Sequence, residues 1–176
     1  ILQASAALFD ASQHVTPTEF NQFVHSLEIG ERYPGIQALG YVQRSRQYKK
    51  QLTDDNISDH IQPCLYTSAP SESVDQRPEY AVVTFIEPVA VGPQKMEQEQ
   101  LLLGPACKTA MMQARDSGKI TASGLVQLER EHATMRTFSL VAPVYAPGPI
   151  KLISLEQRRT QLLGFVFGRF VGIELF

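Results

Sequence analysis

Tryptophan is absent, cysteine occurs twice and histidine only four times in 176 residues. His14, His25, His60 and His132 stand far apart, and neither H-x-x-x-H nor C-x-x-C spacing occurs. The chain therefore offers no ready-made metal site. A basic excess is missing too. The formal net charge is −2, which argues against a broad nucleic-acid surface. No run approaches the roughly 20 apolar residues of a membrane span. No basic n-region followed by an apolar core marks a signal peptide. The chain opens on "ILQASAALFDAS" rather than on Met, and is expected to be a piece of something longer.

Catalytic signatures are missing as well. There is no G-x-S-x-G elbow, and Ser123 in "ASG" lies within a strand pattern, where a small residue suits a bend or a close approach. "GFVFG" (Gly164–Gly168) has two glycines but reads as a strand, not as a phosphate-cradling loop opening a helix. Asp54, Asp55, Glu129 and Glu131 read as solvated carboxylates. No catalytic residue, metal or cofactor is expected, and this segment is not expected to be an enzyme. Two cysteines make no disulfide framework. Cys64 and Cys107 read as free, partly buried thiols that an oxidising compartment would allow to pair.

What is present suits a packed domain: 43% of residues are hydrophobic and 19% charged, enough to bury a core. Residues 1–13 read as a helix with an apolar stripe recurring every seven residues. "TPTE" (Thr16–Glu19) is a strong helix start: Thr16 caps, Pro17 fits the first turn and Glu19 completes a capping box. Phe20, Phe23, Val24 and Leu27 follow at helical spacing, closed by Gly30 and Pro34. Residues 35–43 predict a strand, and a polar, helical surface segment follows. Residues 62–79 predict a long loop. "YAVVTFIEPVAV" predicts a second strand, and Gly104–Gly118 a helix stopped by Gly118. "ITASGLVQLE", "MRTFSLVAPVY" and "LLGFVFGRFV" predict three more strands, with a turn at Ala146–Ile150 and a polar segment before the last. The expected class is α+β: a PAS-like five-stranded antiparallel sheet with helices on one face, preceded by N-terminal stalk helices. Residues 1–32 are read as the stalk and 33–176 as the sensing domain.

The sheet is the remaining candidate for function. Strict alternation puts Tyr80, Val82 and Thr84 on one face and Ala81, Val83 and Phe85 on the other. Phe165, Phe167 and Arg169 share a face, and an arginine beside two aromatics suits an anionic or polar ligand. The pocket wall is expected to be Tyr80, Thr84, Leu125, Gln127, Phe138, Leu140, Phe165, Phe167 and Arg169. A shift of one residue would swap the set to the other face.

Taken in order, "LFDASQHVTPTEFNQFV", "YPGIQALGYVQR", "EYAVVTFIEPV", "AMMQARDSGKITASGLVQL", "LVAPVYAPG" and "LLGFVFGRF" resemble the CHASE domain, over nearly the whole chain. That is the extracellular sensory module associated with cyclases and histidine kinases. The resemblance implies a periplasmic or extracellular receptor domain that binds a small molecule and signals across the cytoplasmic membrane. Flanking transmembrane helices would lie in the parent chain, and its output would be a histidine kinase or a nucleotide or diguanylate cyclase. The first helix would pair in a homodimer, consistent with its seven-residue recurrence. Where cytokinin receptors carry the acidic residue that binds adenine, this chain has Pro78, so the resemblance does not extend to that contact. The alternative is a protein-interaction or dimerisation module with no small-molecule ligand. No nucleic-acid partner is expected.

Overall fold

The computed structural model describes residues 1–12, 14–45, 64–65, 80–89, 105–130, 133–147 and 154–172. The expected loop at 62–79 and the polar helical segment before it fall almost entirely outside them, as do Pro78 and the side chain of Tyr80. The elements run α1 (Leu2–Ala11), α2 (Pro17–Ser26), α3 (Ile29–Arg32), β1 (Ile36–Ser45), β2 (Cys64–Leu65), β3 (Tyr80–Pro88) and α4 (Pro105–Ser117). Then follow β4 (Thr121–Ala122), β5 (Val126–Arg130), β6 (Ala133–Tyr145), α5 (Leu155–Gln161) and β7 (Leu162–Val171).

The local signals explain most of these bounds. The Thr16 hydroxyl accepts from the Glu19 amide, and the Glu19 carboxylate accepts from the Thr16 amide at 2.8 Å. This reciprocal box satisfies two of the orphan donors of α2. Gly118 ends α4 at φ +70°, a conformation that disfavours side chains with a Cβ. Helix α5 occupies a segment read only as polar. Its start is a second box, in which Ser154 and Gln157 bond each other's amides.

Among the described residues all pairings are antiparallel, in the order β2-β3-β1-β7-β6-β4, with β5 also on β6. The expected five strands correspond to the five long ones, β1, β3, β5, β6 and β7. The strand expected at 120–129 is divided in two. Ser123 replaces the ladder there: its amide donates to the Ser139 carbonyl and its hydroxyl accepts from the Ser139 amide, both at 2.8 Å.

Helices cover both faces of the sheet, which corrects the expectation of a single helical face. Helices α1, α2 and α3 bury Leu2, Phe9, Phe20, Val24 and Ile29 against Leu39, Tyr41, Ala142, Val144 and Val166. Helix α4 buries Cys107, Ala110, Met111 and Ala114 against Val42, Ala81, Val83, Val141, Phe165 and Phe167 on the opposite face. The cause is visible in the two central strands. Residues 36–42 of β1 and 164–169 of β7 are buried without alternation, the pattern of strands covered on both sides. The N-terminal helices lie on the sheet itself: α1 packs across β6 and β7, and α2 against β3.

Candidate functional site

The face under α4 divides into an apolar half and a polar end. In the apolar half Phe165 and Phe167 are fully buried beneath Met111 and the small side chains of Ala110 and Ala114. Phe167 lies over Gly40 of β1, where a Cβ would stand 2.5 Å from its ring and 2.7 Å from the Phe85 carbonyl oxygen. Glycine at this position permits the close approach.

Beyond Phe167 the same face turns polar. Arg169 pairs with Ser139 of β6 on one side and with Ala38 of β1 on the other. Thr137 lies two residues before Ser139 and so on the same face. Arg169 is 3% exposed, Ser139 1% and Thr137 0%. Burial pushes the Arg169 guanidinium below the usual arginine range, and neighbouring Cys107 on α4 opposes that shift. Arginine nonetheless stays protonated at neutral pH, so a buried cation and two hydroxyl-bearing residues share one end of a sheet face. Nearby Gln37 is 1% exposed, and both its amide atoms are buried with no hydrogen-bond partner among the described residues. It stands at a bulge in the β1–β7 pairing.

The nine expected wall residues do not converge. Phe165, Phe167 and Arg169 share the α4 face. Phe138 and Leu140 lie on the opposite face, where Phe138 stacks on Phe170 at 5.1 Å and Leu140 packs into the cluster beneath the N-terminal helices. The odd-numbered residues Thr137 and Ser139 are the ones that accompany Arg169, so the expected β6 set lies one residue out of phase. Thr84 is the extra residue of a bulge: Tyr41 pairs with Phe85 and Val42 with Val83. The bulge puts Phe85 among the N-terminal helices while Val83 stays under α4. Leu125 is 65% exposed, and Gln127 is exposed at the sheet edge. Tyr80 pairs with Ser45 and Leu65 through its backbone.

Two of the segments that carry the sequence resemblance meet in a latch. The Tyr145 hydroxyl of "PVY" donates to the Arg115 carbonyl oxygen of "ARDSG" at 2.6 Å. Asp116 accepts from Arg115 and from Arg159 of α5, each at 2.6 Å. The Arg158 guanidinium donates to the Asp116 carbonyl oxygen at 2.7 Å. Hydrogen bonds from Arg159 and then Arg115 hold the Asp116 carboxyl well below its usual range, against the opposing effect of its own burial. Burial pushes the Tyr145 hydroxyl up to about 12. The latch fastens α4 and α5 to the end of β6. An open groove runs along the outer side of α4 past Met112 and Gln113 to Ile120, away from Arg169. Among the described residues no group of His, Cys, Asp and Glu could hold a metal ion, and no helix is long and apolar enough to cross a membrane.

The family model described as the CHASE domain matches residues 13–176. No curated protein matches the chain.

Proposed function

The chain belongs to the CHASE domain family, sensory extracellular domains of signalling proteins, and we propose that it is the extracytoplasmic ligand-binding part of a membrane-bound receptor. CHASE is a sensory module and not a catalytic one, so the output chemistry would reside elsewhere in the parent protein, in a histidine kinase or a nucleotide or diguanylate cyclase. The reading keeps the PAS-like plan, since five long antiparallel strands form a sheet with a helix laid across a face. Transmembrane helices would flank the domain, and a homodimer would form through α1, whose Ala4, Ala7 and Ala11 are exposed at helical spacing.

The observation that carries the ligand reading is the buried row of Arg169, Ser139 and Thr137 beside the apolar Phe165 and Phe167. A small molecule with one polar or anionic end and one flat apolar part suits such a surface. Ligand would bias two arrangements of α4 and the sheet, and the bias would pass to the N-terminal helices. The second reading, a module that binds a protein or only dimerises, draws on Phe165 and Phe167 being sealed under α4.

A thermal-shift screen of the protein against purines, amino acids, organic acids and lipids tests the first reading. A ligand present at a hundred times its dissociation constant stabilises by about 2.7 kcal/mol. The expected result is a hit whose shift is lost in Ser139→Val, a variant chosen to keep Arg169 in place. A screen with no hit, together with a concentration-dependent dimer, sinks the ligand reading and leaves the second.

A further inference from the structure

We propose that Cys64 and Cys107 form a reversible disulfide that ties edge strand β2 to helix α4. They are the only cysteines in the chain, and the fold brings their elements together. Cys64 pairs with Ala81 across the β2–β3 ladder. Opposite residues of an antiparallel pair occupy the same face, so position 64 lies on the face of Ala81. That face is the one α4 covers: Ala81 and Cys107, 2% and 1% exposed, belong to one buried cluster. The backbone of α4 also runs close to β2. Its sheet-facing side carries Cys107, Ala110 and Ala114, small residues that allow a strand close to the helix axis. The bond would anchor the first turn of α4, the turn whose Cys107 neighbours Arg169, and so fix one wall of the polar end.

The oxidant is a disulfide of the thiol-exchange class, for which oxidised glutathione is the laboratory equivalent. One cysteine thiolate attacks the glutathione disulfide and expels glutathione thiolate. The second cysteine thiolate then attacks the protein sulfur of the mixed disulfide and expels another. Net, two protein thiols become one disulfide and one glutathione disulfide becomes two thiols. In the cell the proposal rests on the extracytoplasmic reading, because the cytoplasm keeps such thiols reduced.

The test separates the two. Protein is unfolded in reductant, refolded in a mixture of oxidised and reduced glutathione, alkylated and weighed intact. The expected product is a monomer lighter by two hydrogens, with a digest peptide linking 64 to 107. It melts roughly 10 °C above the reduced form, and Cys64→Ser and Cys107→Ser abolish that difference. Two alkylated thiols, stable glutathione adducts or a disulfide-linked dimer overturn the proposal, whatever the ligand screen shows. Formation in the refolding mixture, with two free thiols after expression in an extracytoplasmic compartment, overturns it as a native bond.

Discussion

Replacing Asp116 by Asn asks whether the "ARDSG" segment is scaffold or binding site. Asp116 takes two bonds from each of two arginines. Arg115 donates from Nε at 2.6 Å and from Nη2 at 3.2 Å, and Arg159 from Nε at 3.0 Å and Nη2 at 2.6 Å. The two pairs are not equal in energy. The Arg159 side chain is 50% exposed, so that pair contributes about 0.5 kcal/mol. The Arg115 side chain is 8% exposed against 29% for Asp116. Removing the charge there takes a two-point charge-assisted pair away from a buried cation, at about 2 kcal/mol. Asp116→Asn should therefore cost about 2–3 kcal/mol at pH 7 and lower Tm by about 5–10 °C. Asp116 is depressed below its usual 3.8 in the folded state. Its contribution is thus fully present above that pH and is lost as pH falls through the lower folded value. Urea unfolding of both proteins at pH 7 and near pH 3 measures this, and the gap should narrow at the acid end. A variant within about 0.5 kcal/mol of the parent at pH 7, or a gap unchanged by acid, would refute the latch.

Two further outcomes follow from the central strand β1. Gly40→Ala puts a methyl 2.5 Å from the Phe167 ring and 2.7 Å from a β3 carbonyl oxygen, and should destabilise by about 1–3 kcal/mol in urea unfolding. Adding Phe167→Ala should make the double variant more stable than the sum of the two changes implies, and strict additivity would show that the ring is not what resists. Tyr41, 7% exposed, is pushed by burial from 10.0 to about 12. A raised tyrosine favours the folded state below pH 10, and that stability is lost as pH rises towards 12. Tyr41→Phe should therefore flatten the alkaline limb of the stability profile by about 1.4 kcal/mol per pH unit. Equal slopes in parent and variant would contradict the burial argument.

Elements set by local chemistry were legible in the sequence, and features set by pairing were not. The Thr16–Glu19 box and Gly118 act within one turn of chain, and both mark the ends expected of them. The Ser154–Gln157 box was equally local, but its apolar side is too weak to stand out: α5 buries none of its residues. Face assignment failed for a different reason. Period-2 reading holds only while the ladder is regular, and the bulge at Thr84 shifts Phe85 to the other face. The near-continuous apolar runs of β1 and β7 point to two covered faces, against the single helical face expected. Arg169, Phe165 and Phe167 share one face, as alternation predicts, because β7 is regular from Gly164 to Val171 along β6. Ser139 and Thr137 carried no signal of their own, since small hydroxyl residues are common on exposed strand faces as well.

On the sensor reading, the two covered faces explain how a site under α4 would reach helices on the far side. Strand β1 belongs to both cores. Ala38, Gly40 and Val42 face α4, while Leu39 and Tyr41 face the N-terminal helices. Tyr41 stacks on Phe9 of α1 at 4.0 Å, and Phe85 of the neighbouring strand stacks on Phe20 of α2 at 5.2 Å. Strand β7 repeats the arrangement: Arg169 faces α4, and the next residue, Phe170, stacks on Phe138 on the other face. One peptide unit thus separates the buried cation from an aromatic pair on the face of the N-terminal helices. Cores at crystal-like density do not absorb displacement by compression. A ligand that shifts β7 at Arg169 must therefore move Phe170, and one that tilts β1 must move Tyr41 against Phe9. The sheet is a single layer of backbone between site and helices, and no long relay of side chains is required.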